Sequence, residues 1–119
     1  MSEPVTPPFR VTVRGPTTVV ELLDREIVRD EAIDALAQQL NQLVEEGGHR
    51  DLLLDFGAVE FLSSAALSRL IQIKKKLSGV GGRLRLCAME PDLREVFRIT
   101  RLDTVFEILR DAESALSRP

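Results

Sequence analysis

Apolar and polar residues alternate along Phe9-Arg10-Val11-Thr12-Val13, the pattern of a strand with one buried face. Gly15-Pro16 marks a turn, and the β-branched stretch from Thr17 to Leu23 completes a predicted hairpin. Then the period changes. Ile33, Leu36, Ala37, Leu40, Leu43 and Val44 recur three and four apart, as on one face of a helix. Asp30 is the expected N-cap, acids crowd the first turn, and Gly47-Gly48 supplies the stop. Leu52-Leu53-Leu54-Asp55-Phe56 reads as a short strand buried on both faces. Ser63 or Ser64 can cap a second helix that runs to Leu77 and ends in the glycine-rich Ser78-Gly79-Val80-Gly81-Gly82. Arg83 to Met89 alternates again as a strand. Pro91 suits the first turn of a third helix, with Leu93, Val96 and Phe97 facing inward. Leu102 to Ile108 gives a last strand and Leu109 to Leu116 a closing helix.

Strands separated by helices imply parallel connections. The expectation is an α/β domain over residues 9–119, preceded by a loose proline-rich tail over residues 1–8. Its mixed sheet has about five strands, the Leu52 to Phe56 strand at the centre, and helices mainly on one side.

Composition narrows the setting. A chain of 119 residues with 44% apolar and 29% charged residues is sized and balanced for one globular domain. The sole cysteine, Cys87, has no partner for an internal disulfide or a cysteine metal site, which fits a reducing compartment. It is expected to be a buried structural thiol. No apolar run approaches the roughly 18 residues that a membrane span needs, and Met1 to Pro8 is polar rather than signal-like. The expected location is cytoplasmic, without membrane contact. A net charge of −3 and the lack of Trp and Tyr speak against direct nucleic-acid binding.

Enzyme chemistry has little to work with. The one histidine, His49, reads as a surface loop residue, and no nucleophile elbow surrounds either central serine. The glycines from Gly79 to Gly82 follow a helix and precede a strand, the reverse of a phosphate-binding loop. Glu45-Glu46 and the Asp111/Glu113 pair read as solvated faces. No catalytic residue, metal site or cofactor is expected. Charge is nevertheless uneven: Ser63 to Leu86 holds six basic residues (Arg69, Lys74, Lys75, Lys76, Arg83 and Arg85) and no acid. Either Lys74-Lys75-Lys76 complement a helix C-terminus and solvate one face, or the basic residues form a docking surface for an acidic partner.

Val59-Glu60-Phe61-Leu62-Ser63-Ser64-Ala65-Ala66-Leu67 resembles the core motif of the STAS domain. That is the fold of bacterial anti-sigma factor antagonists, in which the pattern reads apolar-x-Phe-apolar-Asp-Ser-Ser/Thr-Gly-Leu. The resemblance covers almost the whole chain and extends through Gly81-Gly82, Leu84-Arg85-Leu86-Cys87 and Val96 to Leu102. By resemblance, this is a regulatory binding module, not an enzyme. It would bind an anti-sigma factor of the serine-kinase type and be switched by phosphorylation, with a cognate phosphatase reversing the mark. The acceptor serine falls on Ser64, with Ser63 as the alternative, while Ser63, Ala65 and Ala66 replace the family's acid, small hydroxyl residue and glycine. The implied contact residues are Asp24 and Ile27, within a loop from Asp24 to Val28, together with Ser63, Ser64, Ala65, Ala66 and Arg69. The alternative is an unphosphorylated STAS scaffold subunit acting by association alone, including homotypic association.

Overall fold

The computed structural model describes residues 8–117. A five-stranded mixed sheet in the order β1-β2-β4-β6-β7 forms its backbone. It comprises β1 (Phe9–Arg14), β2 (Thr17–Leu22), β4 (Asp51–Asp55), β6 (Arg83–Cys87) and β7 (Glu107–Leu109). The β1–β2 hairpin is antiparallel, turning at Gly15 with a positive φ of 62°. All other pairings in this sheet are parallel. Of the expected tail, Pro8 alone is described, and its carbonyl accepts a hydrogen bond from the Leu23 N–H at 2.9 Å. The rest of that tail lies outside the described residues.

β4 occupies the centre, and Leu52, Leu53 and Leu54 are each 0% exposed. Side chains alternate across a strand, so a run of three buried leucines requires cover on both faces. Leu52 and Leu54 join the main core with Leu84, Leu86, Val20 and Leu22. Helices α1 (Asp30–Glu45), α2 (Ser64–Gly79) and α3 (Pro91–Ile99) close that side with Leu36, Leu40, Leu70, Leu77 and Phe97. Leu53 lies on the other face with Cys87, Leu109 and Ala115, under the short helix α4 (Ala112–Leu116). Arg85 on that face is 1% exposed. Its guanidinium donates to the Ala115 carbonyl at 2.9 Å and pairs with Asp51 at 3.5 Å, which ties α4 to the sheet.

Several sequence expectations shift in detail. The N-cap of α1 is Arg29, and Asp30 is the first helical residue, where its charge still meets the positive end of the helix. Val96 is exposed, because α3 buries only its Leu93 and Phe97 stripe. The expected last strand is divided: Leu102–Thr104 makes a 3-10 turn and β7 starts at Glu107, with Phe106 buried edge-to-face against Phe97. The closing helix starts three residues later than expected, at Ala112, because Asp111 caps it by accepting from the Ser114 N–H at 2.7 Å. His49 is half-buried, with Nδ1 2.7 Å from the Thr18 hydroxyl, so it fastens its loop to β2.

The end of α2 fits the glycine reading. Gly81 has a φ of +79°, Gly82 N–H donates to the Leu77 carbonyl and Gly81 N–H to the Ser78 carbonyl, which together make a Schellman cap. A Cβ on Gly82 would lie 2.4 Å from the Arg50 carbonyl oxygen, whereas one on Gly79 meets nothing within 4 Å. Gly82→Ala is therefore expected to cost about 1–3 kcal/mol in urea unfolding, as overpacking does. Gly79→Ala, at the last helical residue, should be neutral or stabilising by up to about 1 kcal/mol.

Cys87 is fully buried as expected. Burial, with the nearby charges of Asp55 and Asp111, pushes its thiol up to about 12 from 9.0. The folded pKa is raised, so stability from the neutral thiol is complete below pH 9 and drains away as pH rises toward 12. A bulky thiol reagent at pH 8 should leave the native protein unlabelled and label it fully in denaturant; fast native labelling would show that α4 does not shield this site.

Candidate functional site

Downstream of β4 the chain makes a tight loop. The Asp55 carboxylate accepts from the Gly57 N–H at 2.8 Å, and Phe56 and Val59 are buried beneath it. The loop delivers β5 (Phe61–Leu62) alongside β3 (Glu26–Ile27) in a separate parallel ladder. Glu60 and Phe61 N–H groups both donate to the Arg25 carbonyl, at 2.7 and 3.1 Å, and the Ser63 N–H donates to the Ile27 carbonyl at 3.1 Å. The Arg25 guanidinium also pairs with the Glu60 carboxylate. Two segments 35 residues apart in the chain are thereby held side by side.

This ladder ends at the start of α2. Ser63 is its N-cap: the backbone is extended (φ −78°, ψ 163°) and Oγ accepts from the Ala66 N–H at 3.1 Å. Ser and Asp cap about equally well. A serine at the motif's acid position thus retains the cap and discards the charge. Ser64 is the first helical residue and is exposed, and among the described residues nothing hydrogen-bonds its hydroxyl. Its own N–H and that of Ala65 belong to the first turn, which lacks intrahelical acceptors. Of the two candidate serines, one is occupied in capping and the other faces solvent.

The remaining implied contact residues divide. Asp24 is half-buried beside this ladder and Ala65 is exposed. Arg69 reaches from α2 to Asp34 on α1, at 2.6 Å. Ile27 and Ala66 are 2% and 0% exposed, so they shape the surface from beneath. The methyl group at the motif's glycine position therefore points into the core. Two residues outside the individually implied contacts stand out as well: Phe61 is 57% exposed, and Val28, at the end of the implied loop, 44%. Their exposure emerges only in the folded ladder, where Phe61 turns outward and Leu62 is half-buried.

Along the basic run, Lys76 lies in the last turn of α2, as the helix-end reading expects, and most of the cations are paired. Arg69 pairs with Asp34, Lys76 with Glu45 and the Asn41 side-chain Oδ1, Arg83 with Asp51 at 3.1 Å, and buried Arg85 also with Asp51. Four of the six cations thus meet acids from α1 and β4, and the charge that is segregated along the chain closes in space. A broad basic docking surface is not what they form.

With this geometry described, comparison with known proteins places the chain. The STAS domain family matches residues 18–115, and the protein belongs to that family. BtrV of Bordetella bronchiseptica, provisionally named an anti-sigma factor antagonist, is 33% identical over 89 residues, covering 75% of this chain and 76% of BtrV. An anti-sigma factor antagonist from Mycobacterium paratuberculosis superposes with a TM-score of 0.78 at 28% identity, covering 92% of this chain and 90% of that one. Bacillus SpoIIAA in its phosphorylated form shares the fold, with a TM-score of 0.70 at 22% identity over 92% of this chain and 97% of its own. This is a STAS protein of the anti-sigma factor antagonist type.

The cap assignment separates the two serines by measurement. Ser63→Ala should lower stability by about 1 kcal/mol (0.5–2) in urea unfolding, through the lost cap. Ser64→Ala, on the exposed first turn, should stay within about 0.5 kcal/mol of the parent. The reverse order would assign the cap to Ser64.

Proposed function

We propose that this chain binds an anti-sigma factor of the serine-kinase type through the β3–β5 ladder and the first turn of α2, and that phosphorylation of Ser64 releases it. The observation that carries this reading is the division of labour at the helix start: Ser63 caps, leaving the Ser64 hydroxyl exposed and uncommitted. The names of its relatives support the partner class.

The kinase partner would bring ATP. The Ser64 Oγ attacks the γ-phosphorus, the bond from that phosphorus to the β–γ bridging oxygen breaks, ADP leaves, and the hydroxyl proton passes to a base of the kinase. The product carries nearly two negative charges. Free N–H groups and the helix dipole favour an anion at this position by about 0.3–1 kcal/mol, so the isolated fold tolerates it. The complex does not. A partner surface that had packed against a neutral hydroxyl now buries an uncompensated charge, at a cost of several kcal/mol. Hydrolysis by a cognate phosphatase would restore binding.

Retention of the cap without the motif's acid favours a second reading, the unphosphorylated scaffold, in which the same surface works by association alone. Phosphosite mapping of protein isolated from its own cells, under growth and stress, separates the two. Ser64→Asp should leave the melting temperature within a few degrees of the parent and weaken anti-sigma factor binding at least tenfold, about 1.4 kcal/mol. Ser64→Ala should bind like the parent and resist the kinase. Parent-like binding by Ser64→Asp, with phosphate on neither serine, would leave the scaffold reading in place.

A further inference from the structure

On the outward face of the β3–β5 ladder, Glu26 lies directly across from Phe61. Residues two apart share a face, so Val28 projects on the same side, diagonal to Phe61. Phe61, 57% exposed, and Val28, 44% exposed, stand out here beside buried Ile27 and Val59 and half-buried Leu62. Burial alone would have turned them inward.

Their neighbours have a consistent chemistry. Along the exposed stripe of α2 next to this face come Ser64, Ala65 and Ser68, all small and uncharged. Two flanking cations are paired within the chain, Arg25 with Glu60 on one side and Arg69 with Asp34 on the other, while Glu26, across from Phe61, and Arg29, after Val28, are exposed and make no salt bridge among the described residues. An aromatic anchor, an approach surface of small side chains and a charged rim make the arrangement of an interface hot spot.

We infer that Phe61, supported by Val28, is the apolar anchor of the docking surface, and that it inserts into an apolar pocket of the anti-sigma factor. This rests on the function proposed above and deepens it by naming the residues that hold the partner. A phosphate on Ser64 adds its charge beside the anchor, on a surface where Glu26 already stands across from Phe61, and so opposes the contact. The fitting partner surface is apolar at its centre.

The test uses the full chain and each purified serine-kinase-type anti-sigma factor encoded in the source genome, titrated one at a time by calorimetry. Phe61→Ala is expected to raise Kd at least tenfold, Val28→Ala severalfold, and Ile99→Ala, which truncates an apolar side chain 67% exposed elsewhere, less than twofold. Circular dichroism melts of each variant accompany the titrations. Should Phe61→Ala melt early, Phe61→Leu, which keeps apolar bulk and loses the ring, and Val28→Ser carry the comparison. If the parent binds an anti-sigma factor, Ser64→Asp weakens it and the anchor variants bind like the parent, the anchor is wrong while the proposed function stands. If the parent binds none of them, the proposed function fails and the anchor with it.

Discussion

The structure depends on a strand that has no solvent-facing side. Leu52, Leu53 and Leu54 are all fully buried, so β4 must be flanked by strands on both edges and covered on both faces. Each buried leucine is worth roughly 1.5–3 kcal/mol. One face is readily served by α1, α2 and α3. The other is covered by a five-residue helix, α4, too short to hold itself there by propensity. A buried guanidinium bonded to the Ala115 carbonyl provides the attachment, and Asp51 balances its charge. An ion so placed is costly unless paired, which is why Asp51 serves Thr17, Arg83 and Arg85 together.

The same strand sets the position of the site. Open α/β sheets present their loops for function at the carboxyl ends of the strands. From the end of β4, the loop pinned by Asp55 and Gly57 returns through β5 to α2. The β3–β5 ladder then locks the segment after β2 against the segment after β4. Ser64 is thus presented on a braced helix start and not on a free loop. Rigid support of this kind lets a single added charge act on a partner without first deforming its own fold.

Much of this was legible in the sequence, and the reasons are specific. The leucine run announced a doubly buried strand, the three-four spacing of Ile33 to Val44 announced α1, and Gly81-Gly82 announced the end of α2. The family motif located the helix start. What escaped was set by pairing across distance. Ladder β3–β5 has two residues on each side, too few for a period to emerge. The ion pairs Arg25–Glu60 and Arg69–Asp34 join positions 35 apart and leave no trace in either neighbourhood. For the same reason the basic run looked like an open surface, although its partners lie on α1 and β4. Phe61 was hidden by its own hydrophobicity, since an aromatic residue in an apolar motif reads as core.

The central claim is that a charge on Ser64 disrupts the partner surface and spares the fold. It is tested most directly with the chain carrying phosphoserine at position 64, installed during synthesis. Its amide spectrum, melting temperature and affinity for the anti-sigma factor are compared with those of the unmodified chain. Amide shifts confined to the first turn of α2 and the β3–β5 ladder are expected, with melting temperatures within a few degrees and binding weakened at least tenfold, about 1.4 kcal/mol. Unchanged affinity of the phosphorylated chain, or changes spread through the sheet with a fall in melting temperature, would contradict the account.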